Sequence, residues 1–276
     1  MSGILVVASR TPEAEQWVQA RDAVIEELSS FARTVLGAQA HRCSEQGKLR
    51  DEIRAMIADV AHRPVYQPVI DLHTGEVKGY EALTRFTNGR RPDLVFEEAH
   101  VVGLGIELET ACAVNAARGA ADLPAGGWLA VNFSPASVIA DSLAAVVKLT
   151  NRPVVVEITE HVEIKNFSVV RDAVARTPGV RISVDDAGAG YASLHHILEL
   201  QPDFVKLDIG LVRNIDSDPA RQALSAGLRY YSEQAGNTLI AEGIETAGEH
   251  ETLDHLGISL GQGYLFGRPA PAVPTP

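Results

Sequence analysis

The feature that most constrains this chain is a series of short apolar runs, each ended by a carboxylate or an amide. A carboxylate has little reason to sit at the end of a buried strand unless something binds it. Strand ends that point one way would together make a site for hard cations, which take oxygen ligands. The pattern predicts a barrel with an acidic, metal-binding mouth. The polar residues of these strand ends are Glu81, Asn132, Glu157, Asp185, Asp186, Asp208, Glu242 and Gln262.

Candidate strands alternate with helix-length stretches from Val65 onwards. Most of the strands are apolar and β-branched throughout, as strands buried on both faces are. The alternation predicts an α/β fold, a (β/α)8 TIM-like barrel whose active site lies at the carboxyl ends of the strands. The strands are expected at Val65–Leu72, Gly79–Phe86, Trp128–Phe133, Val154–Thr159, Val180–Asp185, Phe204–Asp208, Leu239–Gly243 and Gly263–Phe266, with helices at Leu94–Arg118, Ser137–Leu149, Ser193–Leu200 and Pro219–Gln234.

The first two strands are separated only by a short turn around Thr74-Gly75-Glu76. This connection is too short to hold a helix, which a parallel crossover requires. We therefore expect an antiparallel hairpin and an antiparallel first strand, a departure from the simple barrel.

Composition limits the partners of the chain. The 276 residues carry a net charge of −12, which disfavours binding to a nucleic-acid polymer or an anionic membrane. No apolar run approaches the ~20 residues of a membrane span. Cys43 and Cys112 form no metal-binding pair and no disulfide framework, which favours a cytoplasmic location. An anionic substrate would need bound cations to reverse the local field.

Residues 1–60 are predicted to form an N-terminal helical extension, and residues 61–276 are predicted to form the barrel domain. Thr11-Pro12-Glu13 is a typical helix start, and a second helix is expected near Ser44. These helices either pack on the barrel or couple it to a partner or upstream sensor. Gly3–Ser9 with the helix after it resembles the last strand and helix of a GAF-type sensor domain. The apolar seam of that helix is Trp17, Val24, Leu28, Phe31 and Val35.

Several motifs in one order carry a family resemblance. They include Tyr66-Gln67-Pro68-Val69, Tyr80-Glu81-Ala82-Leu83-Thr84-Arg85-Phe86 and Asp185-Asp186-Ala187-Gly188, together with the other polar strand ends. From Val65 to Pro269 the chain resembles the EAL-domain phosphodiesterases. That family hydrolyses the bacterial second messenger cyclic di-GMP to the linear dinucleotide pGpG. The resemblance implies this activity and a role in signal transduction.

The resemblance also implies two divalent cations, Mg²⁺ or Mn²⁺, with Ca²⁺ inhibitory. By motif, Glu81, Asn132, Glu157 and Asp185 would hold the first ion, and Asp185, Asp186 and Glu242 the second. Lys206 would orient the attacking water, and Gln262 would support the second ion or the water. Arg85 would grip a phosphate and Gln67 a guanine edge, with Leu83 and Asp208 also contacting the substrate. The catalytic set would be Glu81, Lys206, Glu242 and Gln262.

The segment Asp185–Leu194 resembles a family loop that links the metal site to a homodimer contact, supported by Glu160 and Glu245. Family members usually have Phe where this chain has Ala187. Losing that aromatic ring removes no ligand, so it bears on regulation and dimerisation more than on chemistry.

Plainer interpretations exist for single motifs. Asp185-Asp186 suits a turn, Asn132–Pro135 suits a helix cap, and Glu157 with Lys206 suits a buried salt bridge. Two other functions also remain open, a cyclic di-GMP receptor that does not cleave and an EAL-fold scaffold. Degenerate family members lack ligands, whereas every expected position is filled here, which favours the enzyme.

Overall fold

The structure is a computed structural model that describes Glu26, Ser30, Phe31 and residues 44–158, 164, 166–187 and 191–272. At 186, 187 and 191–194 it describes the backbone only. Two compact units are present, Met1–Arg54 and Ala55–Pro276. Residues 44–54 of the first unit are helical, and the second unit contains the elements described below.

Eight strands of the second unit close into a barrel in sequence order. The first strand runs antiparallel to both of its neighbours, and the other neighbouring strands are parallel. The predicted barrel with an antiparallel first strand is therefore confirmed. The strands are β1 (His62–Asp71), β2 (Val77–Phe86), β3 (Trp128–Phe133), β4 (Val154–Ile158), β5 (Val180–Ala187), β6 (Phe204–Leu207), β7 (Thr238–Ala241) and β8 (Leu260–Gly261).

The helices follow the strands from β2 onwards. The helix predicted at Leu94–Arg118 is two helices, because the chain turns at Gly103, whose φ of 72° suits glycine. The helix predicted at Ser137–Leu149 is likewise divided, at Asp141. The helices are α1 (Pro92–Val101), α2 (Gly105–Gly119), α3 (Pro135–Ile139), α4 (Ser142–Val147), α5 (Phe167–Ala175), α6 (Tyr191–Leu200), α7 (Ile209–Val212), α8 (Pro219–Ala235) and α9 (Ala247–His255).

The eighth strand was predicted in the wrong place. It lies at Leu260–Gly261, and Gly263–Phe266 forms a turn in which the Phe266 N–H donates to the Gly263 carbonyl at 3.1 Å. The apolar residues Tyr264 and Leu265 look like a buried strand in sequence, yet they are 49% and 39% exposed. The turn is required because Gly263 packs directly on the backbone of Ile244.

Two apolar clusters stabilise the barrel. The larger one joins the outer faces of the strands to the helices and includes Leu129, Phe133, Ile158 and Leu207. Each such fully buried side chain stabilises the fold by roughly 1.5–3 kcal/mol. The smaller cluster draws on six strands and fills the barrel interior. It consists of Val69, Ala130, Val155, Phe204, Ile240 and Leu260, with Trp128 packed against it.

In the part of the chain that the structure describes, no helix is both long enough and apolar enough to cross a bilayer.

We expect Gly263→Ala to destabilise the protein by about 3 kcal/mol, the upper end of the usual range for overpacking, because the atoms it meets are backbone. The added Cβ would lie 2.0 to 2.6 Å from backbone atoms of Ile244, which cannot rotate away. Urea denaturation measures the change. Gly227→Ala on α8 is the control, since its Cβ would meet nothing within 4 Å and should stabilise the helix by roughly 0.5–1 kcal/mol. Equal stability of the two variants would contradict this packing argument.

Candidate active site

A layer of polar side chains lies directly above the apolar cluster inside the barrel. Because strand side chains alternate between faces, a residue two positions from an interior apolar residue also points inwards. Asn132 follows Ala130 in this way, and Glu157 follows Val155. The same spacing relates Phe204 to Lys206, Ile240 to Glu242, Leu260 to Gln262 and, on the antiparallel β1, Val69 to Gln67. The barrel thus brings the predicted strand-end residues to one place.

Lys206 lies at the centre of this layer, with its side chain only 1% exposed. Its Nζ lies 2.8 Å from Glu242 Oε1 and 3.0 Å from Glu157 Oε2. Glu81 Oε2 and Asp185 Oδ1 are each 3.5 Å away. One buried cation therefore faces four carboxylates from four other strands or strand ends. The buried Glu157–Lys206 pair expected from the plainer interpretation is present, but as part of this larger cluster.

The excess of negative charge shifts the titration of the cluster. Burial, followed by the charge of Glu81, raises the pKa of Glu157 well above its ordinary value. Burial, with Asp185 and Glu81 opposing Lys206, raises the pKa of Glu242 to about 8. Burial alone would lower the pKa of Lys206, but the carboxylates, Asp185 foremost, raise it overall. The ammonium is thus held charged, and the acids around it lack a full complement of positive charge.

Two amides connect the carboxylates to one another. Gln262 Nε2 donates to Glu81 Oε2 and to Glu242 Oε1, both at 2.8 Å. Asn132 Nδ2 donates to Glu81 Oε1 at 3.3 Å. Gln262 Oε1 is buried and has no hydrogen-bond partner in the described structure. A buried acceptor without a donor is costly, so this oxygen is available to a ligand.

The donor set fits a hard divalent cation in its chemistry, since carboxylate and amide oxygens converge on one buried layer in which four carboxylates face a single ammonium. Among the described side chains, however, no group of three or more acids, histidines or cysteines is arranged so that it could hold a metal ion. The physical reason is that the carboxylates are turned towards Lys206. A bound ion would have to share them with that ammonium. The assignment of individual ligands remains a prediction.

The predicted substrate-side residues lie around the mouth. A cavity of about 320 Å³ opens beside Glu81 and Asn132 and is lined by Leu83, Arg85 and Phe96. Gln67 lies opposite Glu81 in the β1–β2 pairing, and its Nε2 donates to the Gly267 carbonyl at 3.1 Å. In contrast, Asp208 caps α7 by accepting from the Gly210 N–H at 2.8 Å. The predicted contact of Asp208 with the substrate stays a prediction.

Some predicted residues lie partly or wholly outside the described residues. Glu160 is one of them, and the side chains of Asp186 and Ala187 are not described. Glu245 is described and forms a paired ion bridge with Arg213, at 2.5 and 2.7 Å. The Arg213 hydrogen bond lowers the pKa of Glu245. Because the pair is about a third exposed, it orders the loop after β7 more than it stabilises the fold.

Two buried carboxylates near the mouth were missed by the sequence analysis. Glu109 accepts from Ser134 in the loop after β3, and Glu249 accepts from the N–H groups of Glu245 and Thr246 in the loop after β7. The signal for Glu109 was its position, since helical periodicity places it between Leu108 and Cys112 on the buried face of α2. The signal for Glu249 was a capping box with Thr246.

A closed eight-stranded barrel with helices around it and carboxylates gathered at the carboxyl ends of its parallel strands belongs to the (β/α)8 class, whose sites lie at that face. The profile of the EAL domain matches residues 50–269. The chain belongs to the EAL domain family.

Curated relatives include proteins named for an activity. A cyclic di-GMP phosphodiesterase of Pseudomonas aeruginosa is 34% identical over 227 residues, which is 74% of this chain and 38% of that protein. The cyclic di-GMP phosphodiesterase PdeR of Escherichia coli is 31% identical over 224 residues, 75% of this chain and 34% of PdeR. The chain spans between 34% and 44% of the length of the curated relatives that it matches.

Solved structures with this fold include complexes with the nucleotide. Klebsiella pneumoniae BlrP1 with calcium and cyclic di-GMP has a TM-score of 0.68 at 31% identity, over 76% of this chain and 56% of that chain. A manganese complex of BlrP1 has a TM-score of 0.69 at 31% identity, over 77% of this chain and 57% of that chain. The PaMucR phosphodiesterase in complex with cyclic di-GMP has a TM-score of 0.70 at 26% identity, over 82% of this chain and 98% of that chain.

Proposed function

We propose that this protein hydrolyses cyclic di-GMP to linear pGpG with the help of two divalent cations, Mg²⁺ or Mn²⁺, in the cytoplasm. The observation that carries the proposal is the cluster of four carboxylates and two amides around Lys206, at the mouth of a barrel of the EAL family. The names of the relatives and the BlrP1 complexes support the same substrate and cofactor class.

The predicted ligands Glu81, Asn132, Glu157, Asp185, Asp186 and Glu242 would hold the ions. When bound, such ions activate water and neutralise charge on the phosphodiester. Lys206 brings a fixed ammonium to the charge that develops at phosphorus, in a pocket where hydrogen bonds act strongly. Gln262 fixes the orientation of Glu81 and Glu242 through its amide N–H groups, and its unpartnered Oε1 can accept from the attacking water.

The substrate would lie over the cavity beside Glu81. Arg85 is at the rim, and its guanidinium fork suits a phosphate. Gln67 offers an amide to a guanine edge, and Leu83 gives the cavity an apolar wall.

The test is an assay of the purified protein with cyclic di-GMP and Mg²⁺, Mn²⁺ or Ca²⁺, with pGpG separated by chromatography. We expect hydrolysis with Mg²⁺ or Mn²⁺ and little with Ca²⁺, whose loose coordination positions a water poorly. Tight binding of cyclic di-GMP without any pGpG would favour the receptor alternative. Neither binding nor cleavage would favour the scaffold.

We also propose that the active species is a homodimer, as the resemblance of the Asp185–Leu194 segment implies. Support comes from α6, which continues from that segment and leaves Leu198 59% exposed. Light scattering over a concentration series should show a dimer, and Leu198→Glu should weaken it. Leu224→Glu is the matched control, because Leu224 is 50% exposed on α8, outside the Asp185–Leu194 segment. A monomer that is fully active at every concentration would refute the proposal.

The division into residues 1–60 and 61–276 remains our proposal, with the first part as the end of a sensor module that responds to an upstream partner. We expect a variant that lacks residues 1–43 to stay folded and active, and to change its oligomeric state or basal rate. Thermal unfolding and the pGpG assay measure both. Loss of the unfolding transition would mean that the deleted residues are integral to the fold.

A further inference from the structure

A buried carboxylate that is not among the predicted metal ligands is hydrogen-bonded to the loop after β3. Glu109 lies on α2 and is only 7% exposed. Its Oε2 accepts from the backbone N–H of Ser134 at 2.9 Å and from the Ser134 hydroxyl at 2.8 Å. Its Oε1 lies 2.7 Å from His100 Nε2. Every oxygen of this carboxylate therefore has a partner.

Ser134 connects this carboxylate to the candidate active site. It follows Asn132 by two residues, after the fully buried Phe133. Its hydroxyl also accepts from the Ser137 N–H at 3.4 Å and so caps α3. Asn132 in turn donates to Glu81. A short rigid path thus runs from Glu109 through Ser134 to the amide of Asn132.

Packing does not explain an acid at this position. Glu109 lies on the buried face of α2 with Leu108, Cys112, Ala113 and Ala116. Replacing a buried ionic group by an apolar residue of similar size is often neutral or stabilising. A leucine here would fill the space, but it would leave the Ser134 N–H without its acceptor and the Ser134 hydroxyl with only the longer bond to Ser137 Oγ, at 3.3 Å. The acid is therefore suited to fixing the geometry of the loop.

We propose that Glu109 is a positioning residue, which holds Ser134 and thereby fixes Asn132 for binding of the divalent ion. This inference rests on the proposed function in one respect, the assignment of Asn132 as a ligand. Glu109 also lines the cavity beside Glu81, so it supports the wall on which Asn132 lies. It acts through Ser134 and contacts neither the ion nor the reacting phosphodiester.

The test measures Mn²⁺ binding to the full-length metal-free protein by calorimetry, with thermal unfolding and pGpG formation measured on the same samples. Glu109→Ala should raise the Kd for Mn²⁺ about 10- to 100-fold, the usual cost of losing support for a ligand. Glu109→Gln should have a smaller effect, under about tenfold, because its amide oxygen still accepts from Ser134. Ser134→Ala, which keeps the backbone N–H, should fall between wild type and Glu109→Ala.

Glu107→Gln is the matched control, since Glu107 is an exposed acid two residues away on the same helix, and its Kd should equal that of wild type. A wild-type Kd in Glu109→Ala, with or without a lower unfolding temperature, would overturn the proposal. If that variant does not fold, wild-type Kd values in both Glu109→Gln and Ser134→Ala would overturn it equally. Wild-type protein that binds Mn²⁺ but forms no pGpG would refute only the proposed function. Wild-type protein that binds no Mn²⁺ would overturn both.

Discussion

Lys206→Met is expected to destabilise the protein by roughly 3–5 kcal/mol at neutral pH, the usual cost of removing one partner from a buried ionic cluster. The methionine fills the space but leaves Glu81, Glu157, Asp185 and Glu242 facing one another without a cation. Urea denaturation measures the loss. Mn²⁺ should restore part of it by binding the folded state, by about 2.7 kcal/mol at 100 times its Kd.

The pH dependence separates this electrostatic effect from a packing defect. Acids whose pKa is raised in the folded state bind more protons there, so folding stability falls as pH rises above their ordinary pKa. Without the ammonium, the loss in Lys206→Met should be larger at pH 8 than at pH 5. A loss that is equal at both pH values would indicate a packing defect. Lys148→Met is the control, as Lys148 is exposed and its replacement should change stability by less than about 0.5 kcal/mol.

Glu81→Gln is expected to lower the rate of cyclic di-GMP hydrolysis at least about 1000-fold, which corresponds to about 4 kcal/mol in the barrier. Glu81 combines more roles than its neighbours, because it accepts from both Gln262 and Asn132 and faces Lys206. Replacing the carboxylate by an amide keeps the shape and removes one charge. Stability should therefore change little, since like-charge repulsion falls as contacts to Lys206 weaken.

The measurement is pGpG formation under saturating Mn²⁺, with urea denaturation of the same variant. Glu76→Gln is the control, an acid in the turn of the same hairpin whose side chain is 69% exposed. Full activity in Glu81→Gln would remove Glu81 from the metal site. Loss of the folded state would instead mean that Glu81 is chiefly a structural acid.

Much of the barrel could be predicted because its determinants are local. The turn around Gly75, with a φ of 74°, dictated the hairpin, and the apolar β-branched runs fixed seven strands to within a few residues. The eighth strand could not be found in this way. It is only two residues long, and the apolar residues after it belong to a turn. That turn is required by the contact of Gly263 with the backbone of Ile244, a tertiary contact that no local sequence pattern reveals.

The same distinction applies to the candidate site. Spacing placed Lys206, Glu157 and Glu242 at strand ends, but only closure of the barrel brings one ammonium within 3.5 Å of four carboxylates. Glu109 was missed because its role depends on a loop 25 residues away. Helical periodicity shows that such an acid is buried, and it cannot show which donors meet it.

The reversed direction of β1 has a consequence for how a signal can reach the mouth. In an all-parallel barrel the first strand enters at the face opposite the site, whereas His62 pairs with Phe86 at the carboxyl end of β2. The chain therefore joins the barrel at the rim of the acidic mouth, where Ala61 also accepts from the Thr87 N–H. From His62 to Gln67, which lies opposite Glu81, is five residues, or about 17 Å of extended backbone. A twist or pull at Ala61 would act directly on the strand that carries Gln67, without crossing the barrel.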